Sequence, residues 1–287
     1  MKDIFKTPRA LRIYGISALI LCALCITLRV LGIMFFFDSD IGYFQKGSPV
    51  SVLAELLPAL CVIAALVVCF VPKICPPVGE VSNTRAVRIA AILPALGFIG
   101  YAVSYGIRLL DYMTMFPTVP LTYWLLLLST VLSAVFFLLV CFKKNNGNAL
   151  FAVLGVAVMV WLVLSLADSY FDVYIQMNSP LKNGFQFACL GAMLLVVNEL
   201  RTDLDVKRPR FHLFAATVST VLLGSVSISS IIGTVMDKMP ENYILYHADC
   251  VLLPLFIYSA VRLVCMCFSK SAPAEECADS DTQLTET

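Results

Sequence analysis

At 287 residues, with 60% hydrophobic and only 14% charged side chains, this chain carries more apolar surface than one water-soluble core can hide. Its net charge of +1 excludes a broad basic face for nucleic acid. Lipid is the solvent that resolves the surplus, so the expected fold is all-α: a polytopic integral membrane bundle of about eight transmembrane helices in a single unit, 1–268.

Apolar runs recur at 11–37, 50–71, 89–110, 121–142, 149–167, 180–200, 211–236 and 243–268. Each is close to or above the length of roughly 20 residues that spans a bilayer as a helix. No short segments of alternating polarity suggest a β-barrel.

The first run follows Lys2, Lys6 and Arg9, as a secretory signal would. It is too long for a signal core, and Phe35-Phe36-Phe37-Asp38 is a poor cleavage site, so it reads as a retained helix. Cys22-x-x-Cys25 lies in mid-run without His or acidic neighbours and reads as packing. The other cysteines lie mostly within apolar runs and imply no disulfide framework.

Ionisable residues inside such runs are costly and mark candidate sites. Arg29 sits about two turns inside the far end of the first run, and Glu55 lies at a similar depth in the second. An ion pair between these antiparallel neighbours is expected, serving either packing or a ligand. In the third run Pro94, Gly97 and Gly100 point to a kink, and Pro58 and Pro254 do so in the second and eighth. Arg108 and Asp111 are three apart and share a helix face. Asp168, Lys182 and Gln186 gather near the boundary between the fifth and sixth runs. At the other end of the sixth, Asn198, Glu199 and Arg201 are placed where they can snorkel to water.

The seventh run is rich in small and hydroxylated residues. Ser225, Ser229 and Gly233 form a stripe that suits close helix packing better than a polar path. His247 and Asp249 enter the eighth run near its start. From Ser269 the chain turns acidic and polar, and 269–287 reads as a disordered cytoplasmic tail.

Fifteen of the 20 Lys and Arg residues fall at one set of helix ends. The positive-inside rule then puts both termini in the cytoplasm, of a bacterial membrane by preference. Tyr43-x-Gln45-x-x-Ser48-Pro49 before the second run is echoed by Tyr174-x-Gln176-x-x-Ser179-Pro180 before the sixth, 131 positions later. Either the halves 1–142 and 149–268 are parallel four-helix repeats, or two helices start alike because Ser caps and Pro opens a helix well.

The polar residues of the runs thus gather on the extracytoplasmic side. Arg29, Glu55, Arg108, Asp111, Asp168, Gln186, His247 and Asp249 are the candidate ligand contacts of an outward-facing vestibule. Tyrosines at the same level are expected mainly as an interfacial belt. With two histidines and no catalytic or nucleotide motif, neither an enzyme, a metal site nor a cofactor is expected. A small-solute transporter or permease-like subunit is the leading expectation. The alternative is a non-transporting sensor or accessory protein that binds an extracytoplasmic ligand, or a membrane or cytoplasmic protein partner.

Overall fold

The computed structural model describes residues 8–38, 42–45, 47–71, 74–76, 78, 84–116, 118–142, 149–171, 178–204, 208–239 and 246–268. They form α1 (Pro8–Phe36), β1 (Phe37–Asp38), β2 (Tyr43–Phe44), α2 (Pro49–Phe70), α3 (Arg85–Ala90), α4 (Ile92–Met115), α5 (Leu121–Phe142), α6 (Ala149–Phe171), α7 (Pro180–Asp203), α8 (Pro209–Val235) and α9 (Tyr246–Phe268). Counting α3 and α4 as one span, 8 helices among the described residues are long and apolar enough to cross a membrane. The protein is a multi-pass helical membrane protein. Consecutive spans alternate in direction, so α1 begins and α9 ends on one face, the proximal face, opposite a distal face.

Local chemistry accounts for the helix boundaries. Ser48 accepts a hydrogen bond from the Ser51 amide (3.4 Å) and Ser179 from the Leu181 amide (3.3 Å), each with a proline opening the helix behind it. The shared Ser-Pro pattern therefore acts as two N-caps. Tyr174 and Gln176 of the echo lie outside the described residues, as does the 269–287 tail. The third run is interrupted at Ala91, between α3 and α4, while α4 runs unbroken through Gly97 and Gly100. Pro94 lacks the amide that would reach back to Ala90, which removes one rung of the ladder at that place. Gly97 serves another end: a Cβ there would collide with the Cys250 carbonyl, so the missing side chain lets α4 approach α9.

The two-residue strands pair antiparallel, Phe37 with Phe44 and Asp38 with Tyr43, in a small hairpin on the distal face. Gly42 takes φ +75° at its turn, where its amide donates to Asp38 O at 2.8 Å.

Six spans close a ring: α4 packs on α5, α5 on α6, α6 on α7, α7 on α8, α8 on α9, and α9 again on α4. α1 lies outside it along α8 and α9, and α2 covers α1 and α8. With α1, α2, α7 and α9 all against it, α8 is the most enclosed span, whereas α1 and α2 are the least.

Aromatic side chains fill the ring. Phe98 of α4 stacks on Phe137 of α5 (centroids 5.8 Å apart) and meets Trp161 of α6 edge-on at 5.0 Å. Phe137 meets Tyr258 of α9 at 5.7 Å. α4 and α6 are not ring neighbours, so the Phe98–Trp161 contact crosses the interior. With Trp161, Phe98 and Phe136 wholly buried, this is a plug, not a pore.

The hydroxyls of α8 resolve the packing question. Thr217, Ser219, Thr220, Ser227 and Ser229 donate to carbonyls four residues back at 2.6–2.8 Å. Such hydroxyls are satisfied by their own helix, and the small side chains let neighbours close in.

Candidate functional site

At the distal end of the ring, α4, α5 and α6 bring together a cluster of aromatic and charged side chains. Tyr101 and Tyr105 lie one turn apart on α4 and stack at 5.7 Å, with planes 10° apart. Tyr123 of α5 approaches Tyr105 at 6.3 Å, and Tyr101 stands perpendicular to Trp161 at 5.4 Å. Asp168 is exposed near the end of α6, within electrostatic reach of Tyr101, Tyr105 and Tyr123. Arg108, also exposed, acts on Tyr101 with the opposite sign. Tyr101, at 7% exposure, packs against Trp161 inside the ring, and Tyr105 and Tyr123 continue the aromatic row toward the distal face.

The other candidates disperse. Arg29 does not pair with Glu55: it is 5% exposed, and its Nη2 donates to Pro180 O of α7 at 2.8 Å, over Gly184, where a Cβ would collide with the guanidinium. Glu55 is exposed on α2, outside the ring. The expected pair fails because α1 turns Arg29 toward α7 while α2 turns Glu55 away from it. Asp111 is exposed and makes no ion pair with Arg108, although the two share a helix face. Gln186 is half-buried on α7. Asp249 is 7% exposed between α9 and α8, and accepts a hydrogen bond from Ser230 Oγ at 2.5 Å. The side chain of His247 lies outside the described residues.

The strongest charged cluster sits at the other end, against the expectation that the polar groups are one-sided. Arg262 of α9 holds Glu199 of α7 in a bidentate pair: Nε donates to Oε1 at 2.7 Å and Nη2 to Oε2. Their exposures of 1% and 6% rule out snorkelling for Glu199. His212 of α8 brings Nε2 within 3.5 Å of the same carboxylate, and its Nδ1 meets Thr202 Oγ1 at 3.2 Å. Tyr258 lies within electrostatic reach of both charges. Three helices are thereby tied within about two turns of the proximal face. A fork-shaped guanidinium against a carboxylate is the geometry that makes such a pair strong.

Cys25 and Cys61 bring their sulfurs to 3.9 Å between α1 and α2, with Cys22 in the same apolar cluster. Among the described residues no group of His, Cys, Asp and Glu is arranged to hold a metal ion. A groove of about 340 Å³ between α1 and α2 at the proximal face is lined by Ala10, Ile13, Tyr14, Ser17 and Val68 together with Ile74 and Pro76. It is largely apolar, and the Tyr14 hydroxyl is already bonded to Thr217 at 2.9 Å.

No protein-family model matches this chain, and no curated protein or solved structure matches it.

Proposed function

We propose that this protein is a small-solute transporter or permease-like subunit whose path follows the axis of the six-helix ring, captured closed. The observation that carries the reading is the order of zones along that axis. In this reading the distal aromatic cluster with Arg108 and Asp168 is the mouth, with the Phe98–Phe137–Trp161 plug below it and the Glu199–Arg262 pair below that. A water-accessible mouth above an apolar constriction, with charged groups on the far side of it, is what an alternating-access device needs when shut. In this reading the proximal face is cytoplasmic, in agreement with the basic residues at those helix ends. No residue has an enzymatic role.

Purified protein in liposomes tests this against a panel of labelled sugars, amino acids and organic ions. Saturable uptake that falls in Asp168→Asn and Arg108→Gln is the expected result. Absence of flux for every solute, in protein that remains folded, ends the proposal.

One observation favours the accessory reading instead. Glu55 is a carboxylate exposed on a helix flank otherwise given to lipid, a position that suits a basic residue of a partner span. Co-purification of a membrane partner, lost in Glu55→Gln and accompanied by no flux, would decide for it.

A further inference from the structure

Buried hydroxyls on these helices ordinarily close on their own backbone. Ser129 and Thr130 donate to Leu126 O, Ser133 to Ser129 O, and the α8 series behaves likewise. α6 departs from that habit. Ser165 and Ser169 are 7% and 5% exposed, yet neither hydroxyl has a hydrogen-bond partner within the protein. The same holds for Trp161 Nε1, on a fully buried side chain, and for the buried hydroxyl of Tyr105. Burying such groups without partners is costly, and natural proteins seldom leave them so.

Their placement makes them one site. Trp161, Ser165 and Ser169 succeed one another at intervals of four, so they line a single face of α6 over about 12 Å. That face points into the ring, because Trp161 touches Phe98 and Tyr101 on the opposite helix. Tyr105 stacks on Tyr101 beside it. The row runs from the aromatic plug to the mouth, the stretch a solute would occupy before the plug gives way. Ser51, Thr234 and Tyr258 also carry unpartnered hydroxyls, the first two near helix ends and Tyr258 against Phe137 on the proximal side of the plug, away from the row.

We propose that this face of α6, with Tyr105, binds a neutral polyhydroxylated solute of the polyol or monosaccharide class. One indole N–H donates only, and three hydroxyls both donate and accept. A solute carrying several hydroxyls answers that pattern group for group, and its C–H faces stack on tyrosine and tryptophan rings. The groups of the row itself are uncharged, and the nearest charges, Asp168 and Arg108, are of opposite sign and exposed to solvent, so the row favours a neutral solute over an ion. The inference rests on the transporter reading only in taking the distal mouth as the way in.

The chain has two tryptophans, Trp124 and Trp161, so the site holds its own reporter. Trp124 is exposed on α5, and Trp124→Phe leaves Trp161 as the sole indole. The full chain bearing that change, in lipid nanodiscs, is titrated with mannitol, glucose and myo-inositol, and in parallel with glycine, glutamate and tetramethylammonium. A saturable change in Trp161 emission with a hydroxylated solute is expected. Added Ser165→Ala/Ser169→Ala weakens it by about tenfold or more, and Tyr105→Phe by a few-fold, at two lost bonds against one. Ser227→Ala, whose hydroxyl is bonded to Leu223 O, leaves it unchanged. No response to any hydroxylated solute, a response confined to the charged ones, or full affinity in the double serine variant overturns the proposal. Flux on the same proteins separates the two ideas. Binding without flux ends the transporter and keeps the site, whereas flux indifferent to Ser165 and Ser169 ends the site and keeps the transporter.

Discussion

Replacing Glu199 by Leu strips Arg262 of the two bonds it makes to that carboxylate, in a place where the side chain is 1% exposed. Two charge-assisted hydrogen bonds disappear, at about 1.5–3 kcal/mol each, and a cation is left in a poorly solvating interior. Removing one partner of a buried pair costs about 3–5 kcal/mol, which agrees with that sum at its lower end. Leu also withdraws the carboxylate from His212, whose other nitrogen keeps only Thr202. Replacing both partners, as Glu199→Leu/Arg262→Met, removes the stranded charge as well as the pair. The double variant is therefore expected within about 1 kcal/mol of the native protein, or above it. Thermal unfolding in nanodiscs, followed by helical circular dichroism, reads the difference as a loss on the order of 10 °C for the single change and recovery in the double. A single variant that melts with the native protein, or a double variant that melts as low as the single, would refute the buried pairing. If the pair also takes part in transport, the double variant regains stability but not flux.

Gly97→Ala should cost about 1–3 kcal/mol, because its methyl meets the Cys250 carbonyl, which belongs to the backbone of α9 and cannot turn aside. Gly106→Ala on the same helix meets nothing within 4 Å and should be neutral or gain up to about 1 kcal/mol, so the pair of melting curves isolates the helix contact. Ser179→Ala removes the cap of α7 and the bond its hydroxyl donates to Gly42 O at 2.9 Å. A loss of about 1–2 kcal/mol is expected, with faster hydrogen exchange in the 42–44 hairpin; unchanged exchange there would count against the tether. Reporters fused after Phe268 should be active only when the reporter works in the cytoplasm, and the opposite pattern reverses the assignment of faces.

The spans were legible because length and apolarity are properties of the chain itself, and the Ser-Pro starts because a cap acts within four residues. Partnership across the bundle was not. Arg29 and Glu55 share a depth, but depth does not fix azimuth, and Arg29 turns to Pro180, 151 residues away. Glu199 lies near a helix end where a free side chain would reach water. Only the fold brings Arg262, 63 residues on, to hold it inside. The serines teach the same lesson. Most of those of α8 look functional by number and are satisfied by their own carbonyls, Ser230 with its bond to Asp249 excepted, whereas Ser165 and Ser169 pass unnoticed in an apolar run. Arg108 and Asp168 stand out in the sequence as charges beside apolar runs, whereas the stacking of Tyr101 on Tyr105 and Trp161 depends on how α4 and α6 face each other, which spacing alone does not give.

The position of α8 has a consequence for how the chain is made. The helix that α1, α2, α7 and α9 all pack against is synthesised after α1, α2 and α7 are complete. Tyr14 must wait for Thr217, 203 residues later, before its hydroxyl finds the bond it keeps in the finished protein. At about 5–20 residues per second that is roughly 10–40 s during which α1 and α2 sit in the bilayer as an uncommitted hairpin. A chain cut short after α7 lacks the helix that joins this hairpin to the ring. Quality-control proteases that read exposed polar residues in the membrane would meet a long-lived target in it, so α8 and α9 set whether α1 and α2 are kept.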